Sequence, residues 1–371
     1  MTAKIIIAST LKPIWDPRAY EKFAKSLLKD KSYTVDIIGS APELNRDENK
    51  IRFYPHLVYG KGLLNRALLP YKIFRKLIKL QPDLVIITTH ELLFFAVIFK
   101  LLYKKKVIYD IQENYNFNMR YQHSYPILIK HLLAIYIRTK EIILTYWIDH
   151  FFLAEKCYLE ELGYLKKKRA HLTVLENKYQ PIPGFIKKPK RDKIELLLSG
   201  TISPEYGVFE VINYFKKLPA DEYSLRIIGH CPRPDNMTKI EDDCRPLANC
   251  FLQLEHEPIP YHKILAQISE NTIGLLPYKR NKSTENKVPT KLFEYLALGL
   301  PVLVSKNTIW NTMIMKYQGG ASIDFCEPPN HNDLSLCVNL INRSHNIDYK
   351  ELMWISEETK FLNTINLVIK N

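Results

Sequence analysis

The chain has 371 residues, 46% hydrophobic and 25% charged, too long for one hydrophobic core and suited to two domains of about 150–200 residues each. With no low-complexity tract, that balance excludes a disordered or fibrous protein. The formal charge of +14 is uneven: residues 1–180 carry 30 Lys and Arg against 17 Asp and Glu, and residues 181–371 carry 23 against 22.

The chain begins Met1-Thr2-Ala3-Lys4-Ile5, which lacks the basic and apolar segments of a signal peptide and reads as the approach to a first strand. β-Branched runs at 5–8, 34–38, 84–88, 107–110, 150–154 and 171–175 alternate with amphipathic stretches, as strands of a buried parallel sheet do. Strand one is followed by Ser9-Thr10-Leu11-Lys12-Pro13 rather than G-x-G-x-x-G, which argues against a nicotinamide dehydrogenase. Two segments, 63–80 and 126–147, are helical, apolar and basic; either they cover the sheet or they lie in a membrane interface. Lys130, His131, Arg138, Lys140 and Glu141 interrupt the second too often for it to span a bilayer. The six cysteines form no C-x-x-C pair and read as reduced thiols. No nucleic-acid reader motif is present, so the basic first half points to an anionic membrane surface or a pyrophosphate-linked lipid.

A Pro- and Gly-marked segment, 176–184, and the basic run 187–193 form a linker. The alternation restarts at 194–199, 224–228, 251–254, 273–276 and 301–304. The expectation is α/β, two Rossmann-like domains (1–180 and 181–345) facing each other across a cleft, with a helical segment, 346–371, packing back on the first. Ligands of such sheets bind beyond the carboxyl ends of the strands, where strand order reverses.

The strongest signal is Lys287-Val288-Pro289-Thr290-Lys291-Leu292-Phe293-Glu294-Tyr295-Leu296-Ala297-Leu298-Gly299-Leu300-Pro301-Val302. A Pro near the helix start, a Gly at its end and a following apolar strand that opens with Pro define a helix in this segment. A buried-facing Glu294 needs hydroxyl or amide partners, which a ribose diol supplies, and the helix N-terminus with Lys291 favours a diphosphate.

This segment resembles the donor-site signature of GT-B glycosyltransferases, in particular the retaining glycosyltransferase family 4 (group 1), and the likeness extends over most of the chain. It implies ribose binding by Glu294, with Pro289, Thr290, Lys291 and Leu292 around the donor. The first glutamate of the family's E-x7-E motif falls on Asn286, with Glu285 one position away. Leu198-Ser199-Gly200-Thr201 through Gly207 resembles the strand and glycine loop opening the second domain, where backbone N–H groups approach a phosphate. Tyr206 stands where many relatives carry a cation, leaving Lys291 and Lys279-Arg280 to neutralise the phosphate. His256 and Glu257 occupy the place of the base-contacting loop. In the first half, Asp16-Pro17-Arg18 resembles the D-x-R entry loop, which puts Arg18 on the acceptor side or pairs it with Asp16. Asp110-Ile111-Gln112-Glu113-Asn114 resembles a D-x-H-E segment, and His90 follows a strand end.

Glycosyl transfer passes through an oxocarbenium-like state, so cations and helix N-termini at the departing diphosphate lower the barrier. Lys291 and the Gly200–Thr201 loop are expected to stabilise the leaving group, and His90 and Glu113 to position the acceptor, as catalytic residues. No D-x-D occurs, and the resemblance implies neither metal nor cofactor, the nucleotide-sugar being a substrate. The expected activity is transfer from a nucleotide-sugar to a glycan or polyprenyl-pyrophosphate-linked acceptor in bacterial surface polysaccharide synthesis, at the inner face of the cytoplasmic membrane. A nucleotide-sugar epimerase of the same fold and a non-catalytic membrane-surface binding protein are the alternatives.

Overall fold

Strict alternation along β1 (Ala3–Pro13) sends Ile5 and Ile7 into one buried cluster and Ile6 and Ala8 into another, so this strand is covered on both faces. The computed structural model describes residues 2–41, 50–56, 63–121, 126–342 and 348–370. The chain divides into two units, Met1–Gln180 with Trp354–Asn371, and Pro181–Met353.

In the first unit β1 is joined by β2 (Tyr33–Ser40), β3 (Ile51–His56), β4 (Leu84–Ile87), β5 (Lys106–Ile111), β6 (His150–Leu153) and β7 (Leu172–Val174). All pairs are parallel, in the order β3-β2-β1-β4-β5-β6-β7, which reverses between β1 and β4. One face carries Tyr20, Phe23 and the C-terminal helix Ile355–Lys370; the other carries helices Leu63–Leu80 and Leu93–Tyr103. Phe361 of the C-terminal helix stacks on Phe23 at 4.5 Å, and Trp354 donates its indole N–H to Ser26 Oγ at 2.9 Å.

The second unit repeats the plan with β8 (Ile194–Thr201), β9 (Tyr223–His230), β10 (Cys250–Glu255), β11 (Thr272–Leu276), β12 (Val302–Ser305) and β13 (Gly320–Ile323). Its parallel order is β10-β9-β8-β11-β12-β13, reversing between β8 and β11. Leu196 and Leu198 face one core and Leu197 the other. The α/β, two-Rossmann expectation therefore describes the fold.

Two strands had no sequence signal. β3 reads Ile-Arg-Phe-Tyr-Pro-His, an edge strand containing a Pro; β13 reads Gly-Ala-Ser-Ile, four residues at the opposite kind of edge. The return to the first unit begins at Trp354 rather than 346: Tyr349 and Leu352 pack against the second unit's core, and residues 343–347 lie outside the described residues.

Candidate functional site

At the reversal point of the second sheet, the last residue but one of β8 is Gly200 at φ +108°, and the loop that follows closes through Gly207 at φ +76°, conformations that favour glycine. Gly229 on β9 is required for a different reason. A Cβ there would lie 1.9 Å from the Gly200 carbonyl oxygen, so only glycine lets the two strand ends approach. A Cβ on Gly207 would lie 2.0 Å from the carbonyl oxygen of Pro277, which places the loop after β8 against the end of β11. These are the two loops that flank the reversal point.

Between them starts the helix Thr290–Ala297, with Pro289 at its N-cap position. Leu292, Phe293, Tyr295 and Leu296 sink into the core, and Tyr295 OH meets Ser199 Oγ at 2.8 Å, tying the helix to β8. Burial raises the Tyr295 pKa well above the usual phenol value, so the phenol is neutral in that bond. Lys291 and Glu294, one turn apart, form an ion pair of 2.8 Å, with side chains only 12% and 8% exposed. The Lys291 ammonium also lies 5.3 Å from the Tyr261 ring centroid and 5.7 Å from that of Tyr295. Its Cε is the nearest neighbour of a Cβ built on Gly200, at 3.8 Å. The structure thus brings Gly200, Lys291 and Glu294 together: a backbone turn bare of side chain, a cation and a carboxylate, at the N-terminal end of a helix. A nucleoside diphosphate needs that set, N–H groups and a cation for phosphate and an acceptor for a hydroxyl.

The buried Glu294, expected to need hydroxyl or amide partners, has the Lys291 ammonium as its partner in the structure. Leu292 is corrected: its side chain is fully buried and its N–H donates to the Pro289 carbonyl at 2.9 Å, which makes it a core residue. Thr201 and Thr290 are exposed. Lys279 turns its ammonium to Glu210 at 2.9 Å, and Arg280 faces Glu285 at 3.4 Å. Exposed Asn286 lines a polar hollow of about 550 Å³ with Arg280, Glu285, Lys306, Asn307 and Thr308. Asn307 and Trp310 hold the carbonyls of Glu285 and Lys287 at 2.8 and 2.7 Å, which fixes the segment bearing Asn286. His256 and Glu257 are exposed beyond β10, two strands from β8, and His256 Nδ1 meets the Cys231 carbonyl at 3.3 Å.

In the first unit His90 follows β4 at the β1/β4 reversal. Lys140 Nζ lies 2.8 Å from its Nδ1 and Tyr115 meets its ring edge-on at 4.6 Å. Burial, then the charges of Lys140 and Arg66, pull its pKa down to about 3. The imidazole is therefore neutral, accepting from Lys140 at Nδ1 with its own proton on Nε2. Beside it Thr10 bridges Thr89, at 2.9 Å, and the Glu91 carboxylate. Glu113 pairs with Lys12 at 3.3 Å and accepts from Asn118 at 2.7 Å. Lys140, Lys12, Thr10 and Glu91 carry no sequence signal of this role, since their partners lie 50 to 101 residues away.

Of the two roles expected of Arg18, the structure shows the pairing with Asp16, whose carboxylate caps the following helix by accepting from the N–H groups of Arg18 and Ala19 at 3.0 Å. The Arg18 side chain is 3% exposed, grips Asp110 through Nε at 2.9 Å and Nη2 at 2.7 Å, and gives Nη1 to the Leu175 carbonyl and to Asn177. Arg18 thereby holds the ends of β5 and β7 together. Among the described residues no three His, Cys, Asp or Glu side chains are grouped to hold a metal ion.

Residues 184–342 match the family described as glycosyl transferases group 1, a span that lies inside the second unit and contains Gly200, Lys291 and Glu294. No curated protein matches the chain. Among solved structures, the catalytic domain of starch synthase IV from Arabidopsis thaliana, bound to ADP and acarbose, aligns over 100% of both chains at 12% identity and a TM-score of 0.66. Anabaena HepE in complex with UDP aligns over 98% of this chain and 99% of its own, at 9% identity and 0.61. The lipopolysaccharide outer core galactosyltransferase WaaB aligns over 99% of each, at 14% and 0.54. At such identities the likeness establishes the fold, the two-domain GT-B arrangement.

Proposed function

We propose that the protein, whose residues 184–342 match the glycosyl transferases group 1 family within a GT-B fold, transfers a sugar from a nucleotide-sugar to a glycan or a polyprenyl-pyrophosphate-linked glycan, with retention of anomeric configuration and without a metal. The observation that carries this reading is the juxtaposition of Gly200, Lys291 and Glu294 at the β8/β11 reversal.

In this reading Glu294 accepts hydrogen bonds from the ribose hydroxyls, and the Gly200–Thr201 backbone donates to the diphosphate. Lys291, released from Glu294, meets the negative charge that grows on the departing diphosphate as the glycosidic bond lengthens. Such preorganised charge acts most strongly in the transition state. Asn286 and the hollow beside it take the sugar, His256 and Glu257 take the base, and Lys279 adds phosphate neutralisation when it leaves Glu210. On the acceptor side, neutral His90 presents Nε2–H as a hydrogen-bond donor, and Glu113 orients a hydroxyl. The UDP complex of HepE and the ADP complex of starch synthase IV support a nucleoside diphosphate donor. The likeness to the outer-core galactosyltransferase WaaB supports a role in surface polysaccharide synthesis, and in this reading the enzyme works at the inner face of the cytoplasmic membrane.

Incubation with labelled nucleotide-sugars and lipid-extracted glycan acceptors tests the proposal. Label should pass to the acceptor with the wild-type chain and not with Glu294→Ala, whose thermal unfolding stays cooperative. Undiminished transfer by that variant would remove the donor-site assignment.

A further inference from the structure

The helix Ile127–Leu144 is amphipathic in the wrong sense for a protein surrounded by water. It buries only Ala134, Ile137 and Glu141, while its exposed residues include Ile127, Leu128, Leu132, Ile135, Ile142 and, just beyond its end, Tyr146. Leu128 is 75%, Leu132 61% and Tyr146 73% exposed. Spacings of three and four place Leu128, Leu132, Ile135, Ile142 and Tyr146 on one stripe.

Arg138, Lys140 and Glu141 are turned inward and fix that orientation, while His131 and Thr139 are the exposed polar positions. Arg138 reaches Asn114 at 2.9 Å and Glu141 at 3.5 Å, Tyr109 donates to Glu141 at 3.2 Å, and Lys140 meets His90 at 2.8 Å. Rolling the helix to hide its leucines would break the contacts of Arg138 with Asn114, Glu141 with Tyr109 and Lys140 with His90, so the apolar stripe is built to face outward.

The neighbouring helix Leu93–Tyr103, which touches Ile127–Leu144, also exposes Phe94, Leu101 and Leu102, more apolar surface than the single scattered residues of an ordinary soluble protein. Cations rim it. Lys72, Arg75 and Lys79 are exposed on Leu63–Leu80, the helix that packs against Leu93–Tyr103. At the other end Lys166, Lys167 and Arg169 are exposed, and Lys168 donates to the Tyr146 carbonyl at 2.9 Å. Two copies meeting through such a face would set like charges together, whereas anionic headgroups neutralise them. Tyr146 and Trp147 supply the amphipathic rings that settle at headgroup depth. Among the described residues no helix is long and apolar enough to cross a membrane, so the fitting geometry is in-plane.

We propose that the outward face of Ile127–Leu144 inserts into one leaflet of an anionic lipid membrane and holds the first unit there, with Lys167 and Arg169 on headgroup phosphates. The inference shares only its location with the proposed transferase function, and its test contains neither donor nor acceptor, so either can fail without the other.

The full-length protein is floated with vesicles of phosphatidylglycerol and phosphatidylethanolamine, and separately with phosphatidylcholine alone, while tryptophan emission is followed. The wild type should float with the anionic vesicles and shift its emission to the blue, a shift missing in Trp147→Phe. Leu128→Ser/Leu132→Ser/Ile135→Ser should keep its melting temperature and lose at least tenfold in partitioning; Lys167→Glu/Arg169→Glu should lose binding chiefly at low salt. Wild-type protein that stays unbound, or a triple-serine variant that floats equally well, would overturn the proposal. So would a lipid-independent dimer that the triple variant dissociates, since the face would then belong to a second copy.

Discussion

The ammonium of Lys291 sits 2.8 Å from Oε1 of Glu294, one turn along the same helix, with both groups largely withdrawn from water. Each is the other's partner until a ligand arrives, so removing one leaves a poorly solvated charge behind. Lys291→Ala should cost about 1–3 kcal/mol of stability, and Lys291→Met/Glu294→Leu should recover most of that loss. Urea unfolding of the wild type, Lys291→Met, Glu294→Leu and the double variant measures it; a double variant destabilised by the full sum of the two singles would mean that the two charges do not interact.

Glycines at the end of β8 separate space from strain. Gly229→Ala must push its methyl into the Gly200 carbonyl, 1.9 Å away, and should part the strand ends, lowering donor affinity at least tenfold and destabilising the second unit. Gly200→Ala meets nothing closer than Lys291 Cε at 3.8 Å, so it carries only the conformational cost of φ +108°, about 1–2 kcal/mol. Calorimetry that ranks Gly200→Ala as the more damaging change would contradict this account of the loop.

Arg18 joins β5 to the segment after β7 through Asp110, Leu175 and Asn177. Arg18→Ala strands a buried carboxylate and should cost about 3–5 kcal/mol. Arg18→Lys keeps the charge but loses the two-pronged grip, and should fall between the two while leaving the acceptor KM unchanged. A stable Arg18→Ala protein with a raised acceptor KM would return Arg18 to the acceptor side.

His90 titrates at about 3 in the fold against about 6.5 in the unfolded chain. Below pH about 6.5 the unfolded state binds the proton and the folded state does not, so stability falls as pH drops from there toward 3, by up to about 1.4 kcal/mol per pH unit. Above that window the group contributes no slope. His90→Gln should flatten the pH dependence of unfolding between 4 and 6.5. An unchanged slope would show that His90 titrates normally in the fold.

Much of this molecule is legible in the sequence because its strands are short, β-branched and buried on both sides, which leaves period and composition in agreement. β3 and β13 escape because edge strands need neither. The turn from Pro289 to Glu294 is readable since Pro, Lys and Glu are spaced by local helix geometry. Lys140 against His90, and Arg18 against Asp110, are not, because such pairs are set by the sheet crossovers. The outward leucines of Ile127–Leu144 illustrate the same limit: periodicity defines an apolar stripe, and only the inward contacts of Arg138, Lys140 and Glu141 decide which way it faces.

The measurement that bears most directly on the central claim is thermal stabilisation of the purified chain by UDP, GDP, TDP, CMP and ADP sugars in the presence of a metal chelator. One nucleotide class should raise the melting temperature by about 5 °C at saturating ligand, a shift lost in Glu294→Ala. No shift with any nucleotide, or an equal shift in Glu294→Ala, would contradict it.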